Sequence, residues 1–403
     1  MLDLARVWSG GMVGALLSGL GAEIIKIESG DNLDVVRLVG RPLIGGQRVK
    51  GPVTELNPMY HHINRDKRGI SLNLKSPRGR EILLALAQQC DIVLENFRAG
   101  VMERLGLGYE TLRGVRPDVI YAAVSSAGQD GPLARMKGYA PIISSLAGLE
   151  HMVGYAGEPP VGMMNFGLCD PNAGAQATFA VLAAVYHRER TGEGQYIDMS
   201  QLEACMVLLG EAMADLSFNG RTRNPSGNTH PACCPHGIYA CRGEDAWVAV
   251  SMPQDAHWPP LCGLLGRDAW AAEPALAAAP GRLARRGEVD AVLGDWCATH
   301  TPSEAADALT ALGIGAQPVR PVEDTHERHP HFVARRLMQT VELPYVGPYP
   351  LYAFPWPMSA WSSTIGRAAP QLGEHTAEVL RELLGLTDDE LARLRADKVI
   401  DDA

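Results

Sequence analysis

The chain has 403 residues, and its 46 acidic and 36 basic side chains give a formal net charge of −10. This length can bury a large core and predicts two domains, or one large domain with an elaboration. The negative charge argues against nucleic acid as a partner, and no apolar run is long enough to span a membrane. Eight cysteines without paired spacing favour reduced thiols, and the first residues lack a signal-peptide pattern. We therefore expect a cytoplasmic protein with no membrane partner.

The first 28 residues predict a strand, a helix and a second strand. Residues 2–7 and 22–28 have strand-like apolar patterns, and the helical pattern of residues 12–20 ends before a glycine. This βαβ start predicts an α/β fold with a parallel sheet. Gly10, Gly11 and Gly14 suggest a dinucleotide site, but the G-x-G-x-x-G order is broken. A turn that packs the helix on the strand is the better interpretation.

Basic residues gather in the next part of the chain. Residues 31–58 are typical of a surface loop, and a strand over 69–74, a helix over 77–89 and a strand over 91–95 follow. The basic residues of this part are Arg65, Lys67, Arg68, Lys75, Arg78, Arg80, Arg98 and Arg104. Such a cluster is either a solvated charged face or a set of cations for phosphate groups at the strand ends. The residues alone leave both interpretations open.

Asp170 stands at the start of a long alanine-rich run. Pro171 follows it and the apolar pattern continues to Tyr186, which predicts a helix with Asp170 at the N-cap and Pro171 at the first helical position. A carboxylate there caps the helix. It is also a competent nucleophile for acyl transfer, and both roles can coexist. A strand over 196–199 and a helix that begins after Ser200 complete this part.

The character of the chain changes after residue 219. We predict a large domain over residues 1–224 and a smaller α+β domain over 225–335. The C-terminal segment over 336–403 is predicted to pack on the large domain. His230, Cys233, Cys234 and His236 lie close in sequence, but their spacing matches no common zinc pattern. No metal site is therefore predicted.

Several segments together resemble the class III CoA-transferases, the family of formyl-CoA transferase and carnitine CoA-transferase that also contains the α-methylacyl-CoA racemases. The matching segments occur in the same order over nearly the whole chain. They are DLARVWSGG with LGAEIIKIE, NRDKRGISLNLKSPRGRE, DIVLENFRAGVMERLGLGYE, the Asp170 stretch with RTGEGQYIDMSQLEA, and GEHTAEVLRELLGL.

This resemblance implies a Rossmann-like large domain whose parallel sheet is built from both chain ends, a smaller domain, and two subunits interlocked like linked rings. It implies that Asp170 is the catalytic nucleophile. It also implies that coenzyme A, a substrate and not a tightly bound cofactor, lies against Val7, Trp8, Leu72, Asn73, Leu74, Lys75, Asn96, Phe97, Arg98, Arg104 and Lys137. Arg and Lys on loops suit the phosphates of such a ligand.

Two positions depart from the family pattern. The glycine-rich loop of formyl-CoA transferase has no counterpart here, which argues against oxalate as the acceptor. The racemase branch has a histidine where this chain has Tyr139. A tyrosine is a poor acid or base at neutral pH, because its reference pKa is about 10.

We therefore expect a CoA-transferase that moves CoA from a donor such as succinyl-CoA to a dicarboxylic or aromatic acid. The route implied is an aspartyl anhydride and then an aspartyl-CoA thioester on Asp170. Two alternatives stay open: an acyl-CoA racemase or epimerase, and a non-catalytic partner of a heteromeric transferase. The expected assembly is an intertwined homodimer, with a heteromer of related subunits as the alternative.

Overall fold

The computed structural model describes residues 1–40, 42–44, 46–159, 161, 167–326, 329–362 and 364–401. The strands in chain order are β1 Leu2–Asp3, β2 Ile25–Glu28, β3 Leu43–Ile44, β4 Gln47–Arg48, β5 Arg68–Ser71, β6 Ile92–Glu95, β7 Ile120–Ser125, β8 Tyr196–Ser200, β9 His236–Ala240, β10 Trp247–Ser251, β11 Gly315–Pro318, β12 Met338–Leu343 and β13 Gly347–Tyr352.

The α-helices alternate with these strands in the first half of the chain. In chain order they are α1 Ser9–Ser18, α2 Pro58–Asn64, α3 Pro77–Gln89, α4 Val101–Arg104, α5 Tyr109–Val115, α6 Ala140–Ala147, α7 Leu149–Met152, α8 Cys169–Thr191, α9 Gln201–Val207, α10 Gly210–Asn219, α11 Trp258–Leu264, α12 Asp268–Ala271, α13 Ala279–Ala284, α14 Arg286–Ala298, α15 Pro302–Ala311, α16 Val322–His326, α17 Pro330–Ala334, α18 Thr376–Leu384 and α19 Asp388–Ala396.

A six-stranded parallel sheet forms the centre of the larger of two compact units. Its strand order is β5-β2-β1-β6-β7-β8, and every neighbouring pair is parallel. The predicted α/β class with a parallel sheet is confirmed. The prediction that both chain ends build the sheet is wrong for the described residues, because its strands all come from residues 2–200.

Both faces of this sheet are buried, as is typical of parallel sheets. Alternate residues of β7 enter different cores. Tyr121 and Ala123 pack in one cluster, whereas Ile120, Ala122 and Val124 pack in the other. This explains the continuous apolar sequence of the strand, since neither face is available for polar side chains.

The C-terminal segment contributes helices to the first of these cores. Leu380 of α18 and Leu391 of α19 are fully buried there. Asn73 N–H donates to Val399 O at 2.8 Å, and Asp401 N–H donates to Ser71 Oγ at 3.0 Å. The C-terminal segment therefore covers part of one face of the sheet, whose strands come from the first half of the chain. This explains why α18 and α19 belong with the larger compact unit.

The described residues of 31–58 contain regular structure within the expected surface loop. They include 3₁₀ turns at Val35–Leu38 and Val53–Glu55. Arg37 is fully buried, and its guanidinium donates to Glu28 Oε2 at 2.8 Å and to Glu55 Oε2 at 3.0 Å. This segment is therefore fixed by buried charge pairs that its polar composition does not reveal.

The smaller compact unit comprises the described residues of 151–161 and 223–329, and the larger unit the described residues of 1–150, 162–222 and 330–403. The smaller unit has an antiparallel sheet of order β11-β10-β9. Trp258, Leu293 and Leu309 are buried in its own core. The predicted limits of 225 and 335 for a small domain stay a prediction.

Candidate active site

The loop that follows β1 carries a strained residue. Val7 has φ = 60°, which is an unfavourable conformation for a β-branched side chain. Its N–H donates to Asp34 Oδ1 at 3.0 Å, and Lys26 Nζ donates to Ala5 O at 2.8 Å. Lys26 and Asp34 also pair with each other at 3.2 Å and are fully buried. This buried pair holds the loop in its strained shape.

Asn96 fastens the loop after β6 to the loop after β1. Arg6 N–H donates to Asn96 Oδ1 at 2.8 Å, and Asn96 Nδ2 donates to Arg6 O at 2.6 Å. The Arg6 guanidinium also lies 5.7 Å from the centre of the Phe97 ring. Because β1 and β6 are parallel neighbours in the sheet, the two loops leave the same edge, where these hydrogen bonds join them.

Asp170 lies in the first turn of α8. The helix begins at Cys169, Leu168 is its N-cap, and no side chain caps it. The prediction that Asp170 is the N-cap is therefore wrong, since its backbone is already helical. This places the carboxylate beside the start of α1, and not over the end of its own helix.

Ser9, at the start of α1, is the polar neighbour of the Asp170 carboxylate. Its hydroxyl and its backbone N–H both act to lower the pKa of this carboxylate. Gln201 Nε2 in turn donates to Ser9 Oγ at 3.0 Å. Burial raises the pKa of Asp170 to about 6, while the Ser9 hydrogen bonds act in the opposite direction. The carboxylate is therefore oriented and ionised at neutral pH, but poorly hydrated.

Helices α1 and α8 come close together next to this carboxylate. A Cβ on Gly174 would lie 2.7 Å from Met12 Cβ, so only glycine permits the contact. Asp170 is one turn before Gly174 and faces the same helix. A Cβ on Gly167 would lie 3.0 Å from the Trp8 ring and 3.2 Å from Asp170 Oδ2. The indole ring is therefore a neighbour of the carboxylate.

A cavity of about 330 Å³ opens beside Asp170. Its polar lining includes two cations and several hydroxyl and amide groups. The residues that line it are Val7, Ser9, Asn96, Phe97, Arg98, Ser125, Ser126, Ala134, Met136, Lys137, Gly138, Tyr139, Ala140, Asp170 and Gln201. In this lining, as far as the structure describes it, Asp170 is the one carboxylate and histidine is absent.

A second cavity of about 430 Å³ shares Phe97 with the first. Its lining combines apolar side chains with the cations Arg6, Lys75 and Arg104. Its lining residues are Leu4, Arg6, Ile27, Glu28, Ser29, Asn32, Leu72, Asn73, Leu74, Lys75, Phe97, Val101, Arg104 and Leu105. Such a surface suits an elongated ligand with anionic and apolar parts.

The basic cluster of the sequence divides into two groups. Lys67 is fully buried against Asp3, and Arg68 pairs with Glu378 and Glu382. Arg78 pairs with Glu81 on the surface. Lys75, Arg98 and Arg104, in contrast, line the cavities. Arg78 fits the solvated face, whereas Lys67 and Arg68 fit neither interpretation because they are buried in ion pairs. Phosphate binding by Lys75, Arg98 and Arg104 stays a prediction.

The described residues contain no group of three His, Cys, Asp or Glu side chains arranged to hold a metal ion. His236 Nδ1 instead lies 3.0 Å from Ser251 Oγ. Within the described part of the chain, no helix is both long enough and apolar enough to cross a membrane.

The sequence profile of CoA-transferase family III matches residues 1–376. The chain belongs to that family. It is therefore an enzyme of the class III CoA-transferase type, and CoA thioesters are the substrates of such enzymes.

Curated relatives of this class III CoA-transferase cover almost its whole length. The succinate–glutarate CoA-transferase of Agrobacterium fabrum is 32% identical over 391 residues, which is 95% of this chain and 94% of that protein. The succinyl-CoA–L-malate CoA-transferase beta subunit of Chloroflexus aurantiacus is 30% identical over 403 residues, with coverage of 99% and 96%. A CAIB/BAIF family protein from Brucella suis has a similar crystal structure, with a TM-score of 0.83, 28% identity and coverage of 95% and 97%.

The residues that the CoA-transferase resemblance implied fall around the two cavities. Val7, Asn96, Phe97, Arg98, Lys137 and Asp170 line the first cavity. Leu72, Asn73, Leu74, Lys75, Phe97 and Arg104 line the second. Trp8 lines neither, but lies beside Asp170.

Four polar residues of the candidate site were missed by sequence reasoning. Ser9, Gln201 and Ser125 line the first cavity with Asp170, and Arg6 lines the second. The signal that was available is their position, since Ser9 and Gln201 begin helices, Ser125 ends a strand, and Arg6 lies in the loop between β1 and α1.

Proposed function

We propose that the protein transfers CoA from an acyl-CoA donor, such as succinyl-CoA, to a dicarboxylic acid, with Asp170 as the nucleophile. The observation that carries this proposal is a poorly hydrated, oriented carboxylate in a cavity beside a second, partly cationic one. Membership of the class III CoA-transferases supports it. The relatives named above support succinyl-CoA or succinate and dicarboxylates as substrates.

In the first step, an oxygen of Asp170 attacks the thioester carbon of the donor. The carbon–sulfur bond breaks, and an aspartyl anhydride and a CoA thiolate form. The thiolate then attacks the Asp170 carbonyl carbon, which releases the donor acid and leaves an aspartyl-CoA thioester. The acceptor carboxylate attacks this thioester, and the thiolate attacks the resulting anhydride at the acceptor carbonyl. Asp170 is regenerated as a carboxylate.

Ser9 supports this sequence in two ways. Its hydrogen bonds orient the carboxylate for attack. When one Asp170 oxygen carries the acyl group, the same donors face the remaining carboxyl oxygen. They then stabilise the negative charge that develops there as the thiolate attacks.

The lining of the first cavity favours transfer over racemisation. Removal and return of an α-proton needs two acid/base groups. Apart from Asp170, the described lining offers Tyr139, whose side chain is 67% exposed, together with Arg98 and Lys137. None of these three is a carboxylate or an imidazole that could act as the second acid/base group.

The pH dependence of the first turnover tests the role of Ser9. Because the nucleophile is the carboxylate and its pKa is about 6, we expect CoA release to fall about tenfold per pH unit below that pKa and to be constant above pH 7. Ser9→Ala removes a hydrogen bond that lowers this pKa, so the descending limb should move to higher pH.

The matched control is Ser18→Ala, whose hydroxyl bonds within α1 to Ala15 O and lines neither cavity. Its profile should coincide with that of the unaltered enzyme. A Ser9→Ala profile with an unshifted limb would contradict the proposed hydrogen bond.

A second copy of the chain is the partner we propose for an apolar surface on α6, α8, α9 and α10. Its exposed side chains are Ile142, Leu146, Phe179, Leu182, Tyr186, Met206, Val207, Leu208, Met213, Leu216 and Phe218. Exposed apolar area of this extent is typical of an interface between subunits. An interlocked homodimer covers it, and the likeness to a beta subunit makes a heteromer the alternative.

Sedimentation equilibrium tests the assembly. We expect a dimer at micromolar concentration, and we expect Phe179→Ser, which truncates a side chain that is 75% exposed, to weaken it. Glu110→Ser is the matched control, because α5 packs on the opposite face of the sheet from α8. A monomer of the unaltered chain would refute the homodimer.

A further inference from the structure

Two buried polar atoms at the carboxyl edge of the sheet line the Asp170 cavity. Ser125 ends β7, and Gln201 follows β8 directly. Ser125 pairs in register with Ser200, the residue before Gln201. Ser125 and Gln201 are therefore neighbours at this edge of the sheet. Ser125 is 3% exposed and Gln201 is 7% exposed. Both line the cavity.

The Gln201 amide presents its nitrogen to Ser9, because Gln201 Nε2 donates to Ser9 Oγ at 3.0 Å. An amide nitrogen can only donate, so the Ser9 oxygen is the acceptor. Gln201 Oε1 is thereby turned away from Ser9.

Within the described part of the chain, Gln201 Oε1 and Ser125 Oγ have no hydrogen-bond partner. Buried polar atoms without a partner destabilise a fold, so their presence in a cavity points to a ligand that satisfies them. Gln201 Oε1 can only accept a hydrogen bond, whereas Ser125 Oγ can donate or accept.

A hydroxyl group has the chemistry that these two atoms require. Its hydrogen can be donated to an amide oxygen such as Gln201 Oε1, and its oxygen can accept from a hydroxyl such as that of Ser125. A carboxylate oxygen carries no hydrogen and leaves Gln201 Oε1 unsatisfied. A methylene group leaves both atoms unsatisfied, and a site with such groups discriminates against the analogue that lacks the hydroxyl.

We propose that Gln201 Oε1 and Ser125 Oγ form a hydroxyl-recognition subsite, and that the preferred acid of this enzyme is a hydroxydicarboxylate. This inference rests on the proposed CoA transfer. Asp170 attacks the carboxyl group, while the subsite binds a hydroxyl carried on a neighbouring carbon. Gln201 then has two roles. Its amide nitrogen orients Ser9, and its amide oxygen accepts a hydrogen bond from the substrate hydroxyl.

Acid pairs that differ by one hydroxyl test the proposal. Citramalate is compared with 2-methylsuccinate, and malate with isotopically labelled succinate, each as acceptor from succinyl-CoA. The quantity is the ratio of kcat/KM for the hydroxy acid to that for its deoxy partner. We expect a ratio of about ten or more, and we expect Ser125→Ala to reduce it to near one.

The ratio of kcat/KM for the two acids separates loss of the hydroxyl-recognition subsite from a general loss of activity. Ser125→Cys keeps the bulk of the side chain and should give an intermediate ratio, and Ser18→Ala should leave the ratio unchanged. A ratio near one in the unaltered enzyme would overturn the subsite. So would an equal loss for both acids in Ser125→Ala, which is the result if these atoms bind an amide of CoA. Absence of transfer to every acid would instead refute the proposed function itself.

Discussion

Asp170→Asn should reduce CoA transfer by about 10⁴-fold or more, because an amide oxygen cannot form the anhydride on which both half-reactions depend. The measurement is the initial rate at which the acceptor acyl-CoA appears, followed by mass spectrometry. Hydroxylamine added during turnover of the unaltered enzyme should trap a hydroxamate on the peptide that contains Asp170. The Asn variant should give no such adduct.

The stability of this variant separates catalysis from structure. Burial raises the pKa of Asp170 to about 6, so keeping this carboxylate ionised at pH 8 costs the folded protein stability. The neutral amide removes this cost. We expect Asp170→Asn to unfold at the same denaturant concentration as the parent, or at a higher one.

The control is Asp389→Asn, a change at an exposed position in the first turn of α19. It should alter neither transfer nor stability. Near-normal transfer by Asp170→Asn, or an adduct on a different carboxylate, would contradict the mechanism.

Lys67→Met should lower the free energy of unfolding by about 3–5 kcal/mol, the typical cost of removing one partner from a buried ion pair. Lys67 Nζ is fully buried and donates to Asp3 Oδ2 at 2.8 Å, Asn64 Oδ1 at 2.9 Å and Gly11 O at 3.0 Å. Without it, the Asp3 carboxylate stays buried and loses its counter-charge. Denaturant unfolding at pH 7 measures the change.

Two comparisons make this result specific. Arg78→Met breaks an exposed ion pair with Glu81 and should cost at most about 1 kcal/mol. The double variant Lys67→Met/Asp3→Asn should recover part of the loss, because no unpaired charge is left buried. Equal effects of Lys67→Met and Arg78→Met would show that the buried pair does not stabilise the fold.

The sequence was sufficient for the elements whose signals are local. The helix predicted over 77–89 is α3 Pro77–Gln89, and the strand predicted over 91–95 is β6 Ile92–Glu95. The helix that was expected after Ser200 is instead two helices, Gln201–Val207 and Gly210–Asn219. Local patterns fix the presence of a helix better than its continuity.

Long-range polar contacts explain what the sequence could not reveal. In the sequence, Lys67 and Arg37 are indistinguishable from surface cations. The fold pairs Lys67 with Asp3, and it pairs Arg37 with Glu28 and Glu55. Ser9 and Gln201 are 192 residues apart, and their hydrogen bond exists only because β1 and β8 belong to one sheet. The predicted N-cap at Asp170 failed for a similar reason, since the partner of its carboxylate is another helix.

Because α18 and α19 lie far along the chain from the sheet that they cover, they affect how the protein folds during synthesis. Ribosomes synthesise the chain from its first residue, so all strands of the parallel sheet exist before residues 376–401 do. At roughly 5–20 residues per second, about 10–35 seconds pass between the end of β8 and the start of α18. Throughout that interval, the apolar surface that Val379, Leu380 and Leu391 later cover lacks these side chains. A nascent chain is therefore exposed to aggregation until α18 and α19 have been made, and a chaperone that shields apolar surface has its greatest effect in that window.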